Sequence, residues 1–492
     1  MKLLPLAQTE AQRHFWKKLQ PVNRVAATDT YKRTMACSSN LFAENFACYV
    51  LAARQALAEE GANGRYVMAG LEKMLYPWFM EPITPEEVEQ ARSFFMKNAA
   101  VKIFSEHVWK KVSTNEGYFP LDIYALPGGQ TFLVKDGKYV PMMSVEGPGA
   151  LVSHLEPHLE QIYAPIIQAT KAKLFSEIVG TQFVEFGLRS DQQVNNHATL
   201  SMALYVGGGF QLTSDDQAVL LFPEYFKDVG TIGHEFLMAY QRAGRSLEEA
   251  QQEACESFVA ANEKSALLPD VIDTLASGLP EILRLEKKYK GSGKVIMPRL
   301  DSGDVSGQAV AWRRMTQKEG IAETRVVVED GYTPRKARET KERYRQAGFN
   351  PDEIIVGAGG YFQEGCTRDS ASVVYKRSAT RHESGLEASL KFSDTPGKES
   401  LPGRVRVYAQ GNVLLVAQEE EKIDGEPLMV KVIQNGRIVY DEDLRVQHER
   451  AEKTWNQYDK VSYSPMTTAI IAKRTAERDR IKQKCQIMGQ EQ

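Results

Sequence analysis

"KVIMPRLDSGDVSGQAVAWRRM", residues 294–315, is the stretch whose reading decides the fold. "KVIM" is a short apolar run of strand length, and "VSGQAVAWRRM" reads as a helix. Between them "PRLDSGD" packs Arg299, Asp301, Ser302 and Asp304 around Gly303. A strand handing over to a helix through a polar loop is half of a parallel βαβ unit.

The same rhythm runs outward from about 145 to 390. Helical stretches such as "GALVSHLEPHLEQIYAPIIQATKAKLFSEIVG" alternate with "QFVEFG", "ALYVGGGF", "KVIMPRL", "TRVVVEDG" and "EIIVGAGG", each read as a short strand. "TPRKARETKERYRQAGF" is predicted as an amphipathic helix opened by Thr-Pro. The expected fold class is therefore α/β, with parallel strands and crossover helices. Each strand ends in glycine, acidic or arginine residues, and in a (β/α) barrel that rim is where chemistry is built.

The flanks read differently. "NFACYVLAAR" suits a strand or the start of a helix. "TPEEVEQARSFFMK" is a helix with Thr84 as N-cap and Pro85 at its first position. "TFLVKDGKYVPMMSVEGP" is a strand pair turning at Asp136-Gly137. Beyond a Pro/Gly/Ser-rich stretch at 394–403, short strands return ("NVLLVAQ", "LMVKVIQNGRIVYD"), then a charged helix. The expected domains are residues 1–144, a barrel at 145–393, and a segment at 394–492 packing with the first.

Composition excludes several classes. Hydrophobic residues are 42% and charged residues 25% of 492, ordinary for a globular chain. A net charge of −3 argues against nucleic acid as partner. No run approaches the ~18 apolar residues of a membrane span. Five scattered cysteines without a CxxC pair suggest neither zinc nor a disulfide framework, so a cytoplasmic setting is expected.

Several loops carry candidate chemistry. Asp301 and Asp304 suit sugar hydroxyls or magnesium, or an N-cap role, and Arg299 suits a planar anion. Gly357, Gly359 and Gly360 follow an apolar strand, where backbone N–H groups can approach an anion, with Thr367 and Arg368 downstream. His234 follows a Gly-Thr-x-Gly loop and opens a helix, suiting proton transfer or phosphate acceptance. Phe186 and Arg189 lie just past a strand, and "ATDTYKRTM" carries Tyr31 beside Asp29 and Lys32.

In order, "TDTYK", "VEGP", "EFGLR", "TSDD", "GTIGHE", "DVIDT", "RLDSGD", "EDG" and "GAGG…TRD" span some 340 residues. This series resembles the nicotinate and nicotinamide phosphoribosyltransferases. The resemblance implies an irregular (β/α) barrel plus an α+β domain formed from both chain ends, in a homodimer with its active site at the interface. It implies transfer of ribose 5-phosphate from phosphoribosyl pyrophosphate to a pyridine nitrogen, with magnesium on the pyrophosphate and ATP as co-substrate. By the same resemblance Asp301 faces the ribose, with Asp270 a second acid nearby. Phe186 and the neighbouring subunit's Tyr31 wall the pyridine ring, and Arg299 meets the ring's substituent. Arg189, Gly359, Gly360 and Arg368 contact phosphate, joined by Asp330 and Gly331 of "EDG". His234 is the histidine phosphorylated from ATP.

Acid and amide are separated by the group facing the pyridine substituent, because a carboxylate there accepts from an amide and repels an acid. The nicotinamide branch has aspartate after the motif's threonine; here Ser214 stands there, as in the nicotinate branch. Asp215 follows where the nicotinate pattern has asparagine, and a one-residue shift would bring its carboxylate to the ring. "EDG", "GAGG…TRD" and the chain length are closer to the nicotinamide branch. Nicotinate is the expected substrate, nicotinamide the rival, and a non-catalytic nucleotide-binding homologue the reading from another class.

Overall fold

The computed structural model describes residues 4–190, 196–393 and 399–490. By its contacts the chain divides into two compact units, Lys171–Glu364 and Met1–Thr170 with Gly365–Gln492. The second of these joins both chain ends. The barrel segment expected at 145–393 is thus wider at both ends than the compact unit, and the boundary expected at 394–403 lies partly outside the described residues.

Lys171–Glu364 is built on seven parallel strands. In chain order they are β1 (Phe183–Glu185), β2 (Leu212–Thr213), β3 (Lys227–Asp228), β4 (Lys264–Leu267), β5 (Val295–Leu300), β6 (Val326–Val328) and β7 (Ile354–Ala358). They pair in the order β4-β5-β6-β7-β1-β2-β3. The sheet curls: past its last strand, Ile232 N donates to Ala266 O of its first at 3.3 Å.

Strand alternation sorts the two faces. Phe183, Leu267, Ile296, Leu300, Val326, Val328, Ile354, Val356 and Ala358 join one buried apolar cluster with helix residues such as Leu204, Val259, Trp312 and Tyr344. Phe183 stacks within 4.1 Å of Phe210 and meets Phe175 and Phe362 at 5.4 and 5.6 Å. Burying such a ring stabilises by roughly 1.5–3 kcal/mol. The intervening residues, Val184, Arg299, Val327 and Gly357, turn to the inside of the curl.

The helices begin where their caps stand. Asp304 accepts from Gly307 N at 3.1 Å and opens α2 (Val305–Lys318), and Thr333 caps α3 (Pro334–Gln346). "ALYVGGGF" is not a strand. It ends helix α1 (His197–Gly208), all of whose residues are buried, and Gly209 at φ +67° closes it. A helix apolar on every side carries no amphipathic period, so its tail is indistinguishable from a buried strand in sequence.

In the other unit, strands from the two chain ends interleave. Phe46–Ala52 pairs with Pro141–Pro148 on one side and with Val374–His382 on the other, and Asp122–Ala125 pairs with Val430–Gln434. "NFACYVLAAR" is therefore a strand. Asp136 and Gly137, both at positive φ, turn the expected hairpin, and Thr84 with Glu87 forms a capping box on Pro85–Lys97. Buried Glu146 binds Arg404 and Arg406 at 2.6 and 2.7 Å, tying the halves electrostatically. Among the described residues no helix is long and apolar enough to cross a membrane.

Candidate functional site

The polar residues at the carboxyl ends of the parallel strands converge. Arg299 projects from β5, and its Nη1 meets Glu329 Oε1 at 2.7 Å just past β6. Its Nη2 donates to Ile232 O at 2.9 Å, and its buried Nε has no partner among the described residues. The guanidinium carbon lies 5.9 Å from the centroid of Phe186, just past β1. Asp301 follows β5 and lies beside Glu329. Burial pushes Glu329 up to about 7 against the opposing pull of Arg299, and Asp301 adds to the rise; Arg189 also lowers it.

Two glycines let the strand ends close in. A Cβ on Gly357 would stand 3.0 Å from the Phe186 ring and 3.1 Å from Glu329 Oε2. On Gly359 it would stand 2.4 Å from Gly187 Cα and 2.6 Å from the Phe186 carbonyl carbon. Both are needed to seat the Phe186 loop, a requirement distinct from the anion approach expected from sequence. A Cβ on Gly360, at the start of a one-turn helix, would meet only Ser190 Oγ among the described residues, at 3.5 Å.

A second constellation lies at the ends of β3 to β5. His234 Nε2 is 2.9 Å from Asp270 Oδ1, and Ser302 Oγ donates to Asp270 Oδ2 at 2.7 Å. The His234 side chain is 43% exposed while Asp270 is nearly buried, so the carboxylate orients an accessible imidazole. Both Asp270 oxygens are engaged, which makes it the link between His234 and the "PRLDSGD" loop.

Behind Phe186 lies a buried network. Glu185, on the helix-facing side of β1, accepts from Gly187 N, from Thr213 Oγ1 at 2.8 Å and pairs with His197 at 3.1 Å. Ser214 N donates to Glu185 O at 3.0 Å. Asp215 Oδ1 caps the next helix through Gln217 N at 3.0 Å. Burial raises the Asp215 carboxyl, opposed by His197.

The other expected residues have these surroundings. Asp304 is the N-cap of α2 and binds Arg343 through both oxygens at 2.6 and 3.0 Å, so its capping role holds and a ligand role does not follow. Asp330 and Gly331 turn the chain at φ +83° and +60°. Asp330 is exposed, and Lys336 binds its carbonyl and, at 3.5 Å, its carboxylate. Arg189 is exposed in the turn after β1. Tyr31 and Arg368 belong to the other compact unit. Tyr31 is 50% exposed on helix Thr30–Ser38. Arg368 pairs with Asp369 at 2.6 Å and lies 3.8 Å from Glu160.

Sequence reasoning missed Glu329, Glu185, Thr213 and His197. Glu329 carried a usable signal: it follows "VVV" with the parity of Val327, the inward face. The Glu185 network carried none, because its partners come together only through the sheet register.

Among the described residues no group of three or more His, Cys, Asp or Glu side chains is placed to hold a metal ion. Magnesium commonly takes one or two carboxylates together with substrate phosphates and water, so a phosphate-borne ion needs no protein cage.

No protein-family model matches the chain. Over 353 residues it is 26% identical to a Bacillus subtilis (strain 168) protein named nicotinate phosphoribosyltransferase, covering 70% of this chain and 65% of that protein. It thus spans about 65% of the length of that protein and of a Mycobacterium tuberculosis (strain ATCC 25618 / H37Rv) relative named nicotinate phosphoribosyltransferase pncB2. A Xanthomonas campestris pv. campestris (strain 8004) protein named nicotinamide phosphoribosyltransferase is 24% identical over 445 residues, 80% of this chain and 91% of that one. The solved structure of human nicotinic acid phosphoribosyltransferase superposes with a TM-score of 0.67 at 18% identity, covering 91% of this chain and 99% of that one. At that identity the likeness bears on the fold.

Proposed function

We propose that this chain, whose relatives and structural neighbour support the nicotinate and nicotinamide phosphoribosyltransferase family, transfers ribose 5-phosphate from phosphoribosyl pyrophosphate to nicotinate, releasing pyrophosphate. The observation that carries the reading is the meeting of Phe186, Arg299, Asp301 and the Gly357–Gly359 backbone at one strand rim. That rim offers an aromatic wall, a cation and a carboxylate within reach of one small ligand.

Each suits a demand of the reaction. Breaking the C1–O bond builds positive charge on the ribose, which the fixed Asp301 carboxylate would stabilise. Phe186 would orient the ring so that its nitrogen addresses C1. Arg299, whose Nε is unpartnered, would receive the ring's carboxylate. Gly359, Gly360 and Arg189 would contact phosphate, with Asp330 and Gly331 at its margin. Tyr31 would come from a second copy of the chain, as its half-exposed ring permits. Magnesium bound to pyrophosphate would neutralise the leaving group.

Acid is favoured over amide by the turn after β2. Thr213 pairs in register with Glu185, and Asp215 caps a helix through Oδ1 in the field of His197 and Glu185, on the helix side of the sheet, while its buried Oδ2 has no partner among the described residues. The one-residue shift that would bring a carboxylate to the ring therefore has no support, and Ser214 remains the residue for that position. His234, oriented by Asp270, is the proposed phosphate acceptor through which ATP would assist transfer.

The test is product analysis with phosphoribosyl pyrophosphate and each pyridine, with and without ATP. Nicotinate mononucleotide is expected. Preference for the amide would overturn the substrate, and tight binding of phosphoribosyl pyrophosphate without pyrophosphate release would favour a non-catalytic homologue.

A further inference from the structure

We propose that Glu329 is the positioning residue that holds Arg299 and Asp301 in fixed relation, coupling the ring-facing cation to the ribose-facing carboxylate. This inference rests on the proposed transfer for the roles of those two residues, and on geometry for its own.

Arg299 and Asp301 are two residues apart, on the same side of the chain at the end of β5, but the loop that follows turns sharply at Gly303 (φ +78°). Among the described residues no hydrogen bond or ion pair joins the two side chains directly. Glu329, on the neighbouring strand end, reaches both: Oε1 lies 2.7 Å from Arg299 Nη1, and its carboxyl interacts with that of Asp301. β6 holds it by the backbone bond Glu329 N to Leu300 O at 2.9 Å. The Arg299 and Glu329 side chains are only 12% and 10% exposed, so little water competes.

The rest of the surroundings agrees with a positioning role. Arg299 is held at a second point by Ile232 O, which leaves Nε as a buried donor without a partner among the described residues. Arg189 acts on Glu329 from the turn after β1, and Gly357 presents no side chain to Glu329. On Glu329's own loop, Asp330 is engaged by Lys336. Among the described residues Glu329 is therefore the side chain that bridges the two halves of the proposed reaction centre.

The experiment compares E329Q, E329D and E329A in the full-length protein. Glutamine keeps the reach, an acceptor for Arg299 and a donor for Asp301. Aspartate keeps the charge and loses the reach by one methylene. E329Q should retain near-normal kcat and KM, whereas E329D and E329A should each lose about 10²-fold in kcat/KM, the scale of a roughly 1 Å misplacement. A fully active E329D beside an impaired E329Q would overturn the proposal in favour of charge. So would an E329Q that binds nicotinate more tightly than the parent, since Glu329 would then be a competitor for Arg299. If the parent transfers to neither pyridine, the functional reading fails by itself. Crystal structures of E329Q and E329D then decide the positioning: Arg299 should keep its 5.9 Å approach to Phe186 in the first and move by about 1 Å in the second. An unmoved Arg299 in E329D would refute it.

Discussion

Replacing Gly359 by alanine should cripple the site while leaving a protein that still folds. The added Cβ would lie 2.4 Å from Gly187 Cα, 2.5 Å from Gly187 N and 2.6 Å from the Phe186 carbonyl carbon. Non-bonded carbons settle at about 3.5–4.0 Å, so the overlap with Gly187 is about 1 Å. All three obstacles are backbone, and no rotamer relieves them. The Phe186–Gly187 loop must move, and it is tied down by Phe186 N to Ala358 O at 3.0 Å and by Glu185 on Gly187 N. A shift of that size moves the Phe186 ring and should lower kcat/KM by about 10²-fold, or about 2.7 kcal/mol at the transition state. Overpacking should cost the fold about 1–3 kcal/mol. Initial rates over a nicotinate titration, with thermal unfolding of the same preparation, measure both. Gly360→Ala, which meets only Ser190 Oγ at 3.5 Å and keeps its N–H, should lose far less. A Gly359→Ala enzyme with wild-type kcat/KM would show that the placement of Phe186 does not matter to the chemistry.

Asp301→Asn should slow turnover by about 10²–10³-fold, the scale of losing one electrostatic stabiliser, with little change in melting temperature; steady-state kinetics at full speed would remove it from the reaction. Glu146→Ala leaves Arg404 and Arg406 with Glu419 as their remaining counter-ion and should cost about 1–3 kcal/mol, read as a lower urea midpoint with the site's kinetics preserved at low denaturant. His154 is buried and His158 partly buried, and burial lowers each from 6.5 to about 4 while a backbone carbonyl bond opposes the shift. The unfolded chain binds the extra protons, so stability is complete above pH 6.5 and falls as pH drops toward 4, by at most roughly 3 kcal/mol per histidine. Melting temperatures from pH 8 to 4 should show this decline, and His158→Gln, which can still donate to Met74 O, should flatten it. An unchanged slope in that variant would contradict the assignment.

How much was legible beforehand differs by element. The helices at Pro85–Lys97 and Pro334–Gln346 were readable because threonine caps and first-position prolines act locally. Strands β5, β6 and β7 were readable as short apolar runs between punctuating residues. "ALYVGGGF" failed because a helix buried on all sides loses the periodicity that distinguishes it. Asp304 and Asp301 show the limit for sites: three residues apart with the same side chain, they divide into a helix cap and a member of the Arg299–Glu329 cluster.

What the sequence by itself determined is the order of strands and helices, the polar character of each strand end, and the family resemblance carried by that order. These rest on local propensities and on residue type, which survive without neighbours. Tertiary structure alone decided which polar residues meet. Parallel pairing carried Glu329 to Arg299, Gly359 to Phe186 and Asp270 to His234 across gaps of roughly 30 to 170 residues. Register, set by the buried faces of the whole sheet, has no signature in any single segment.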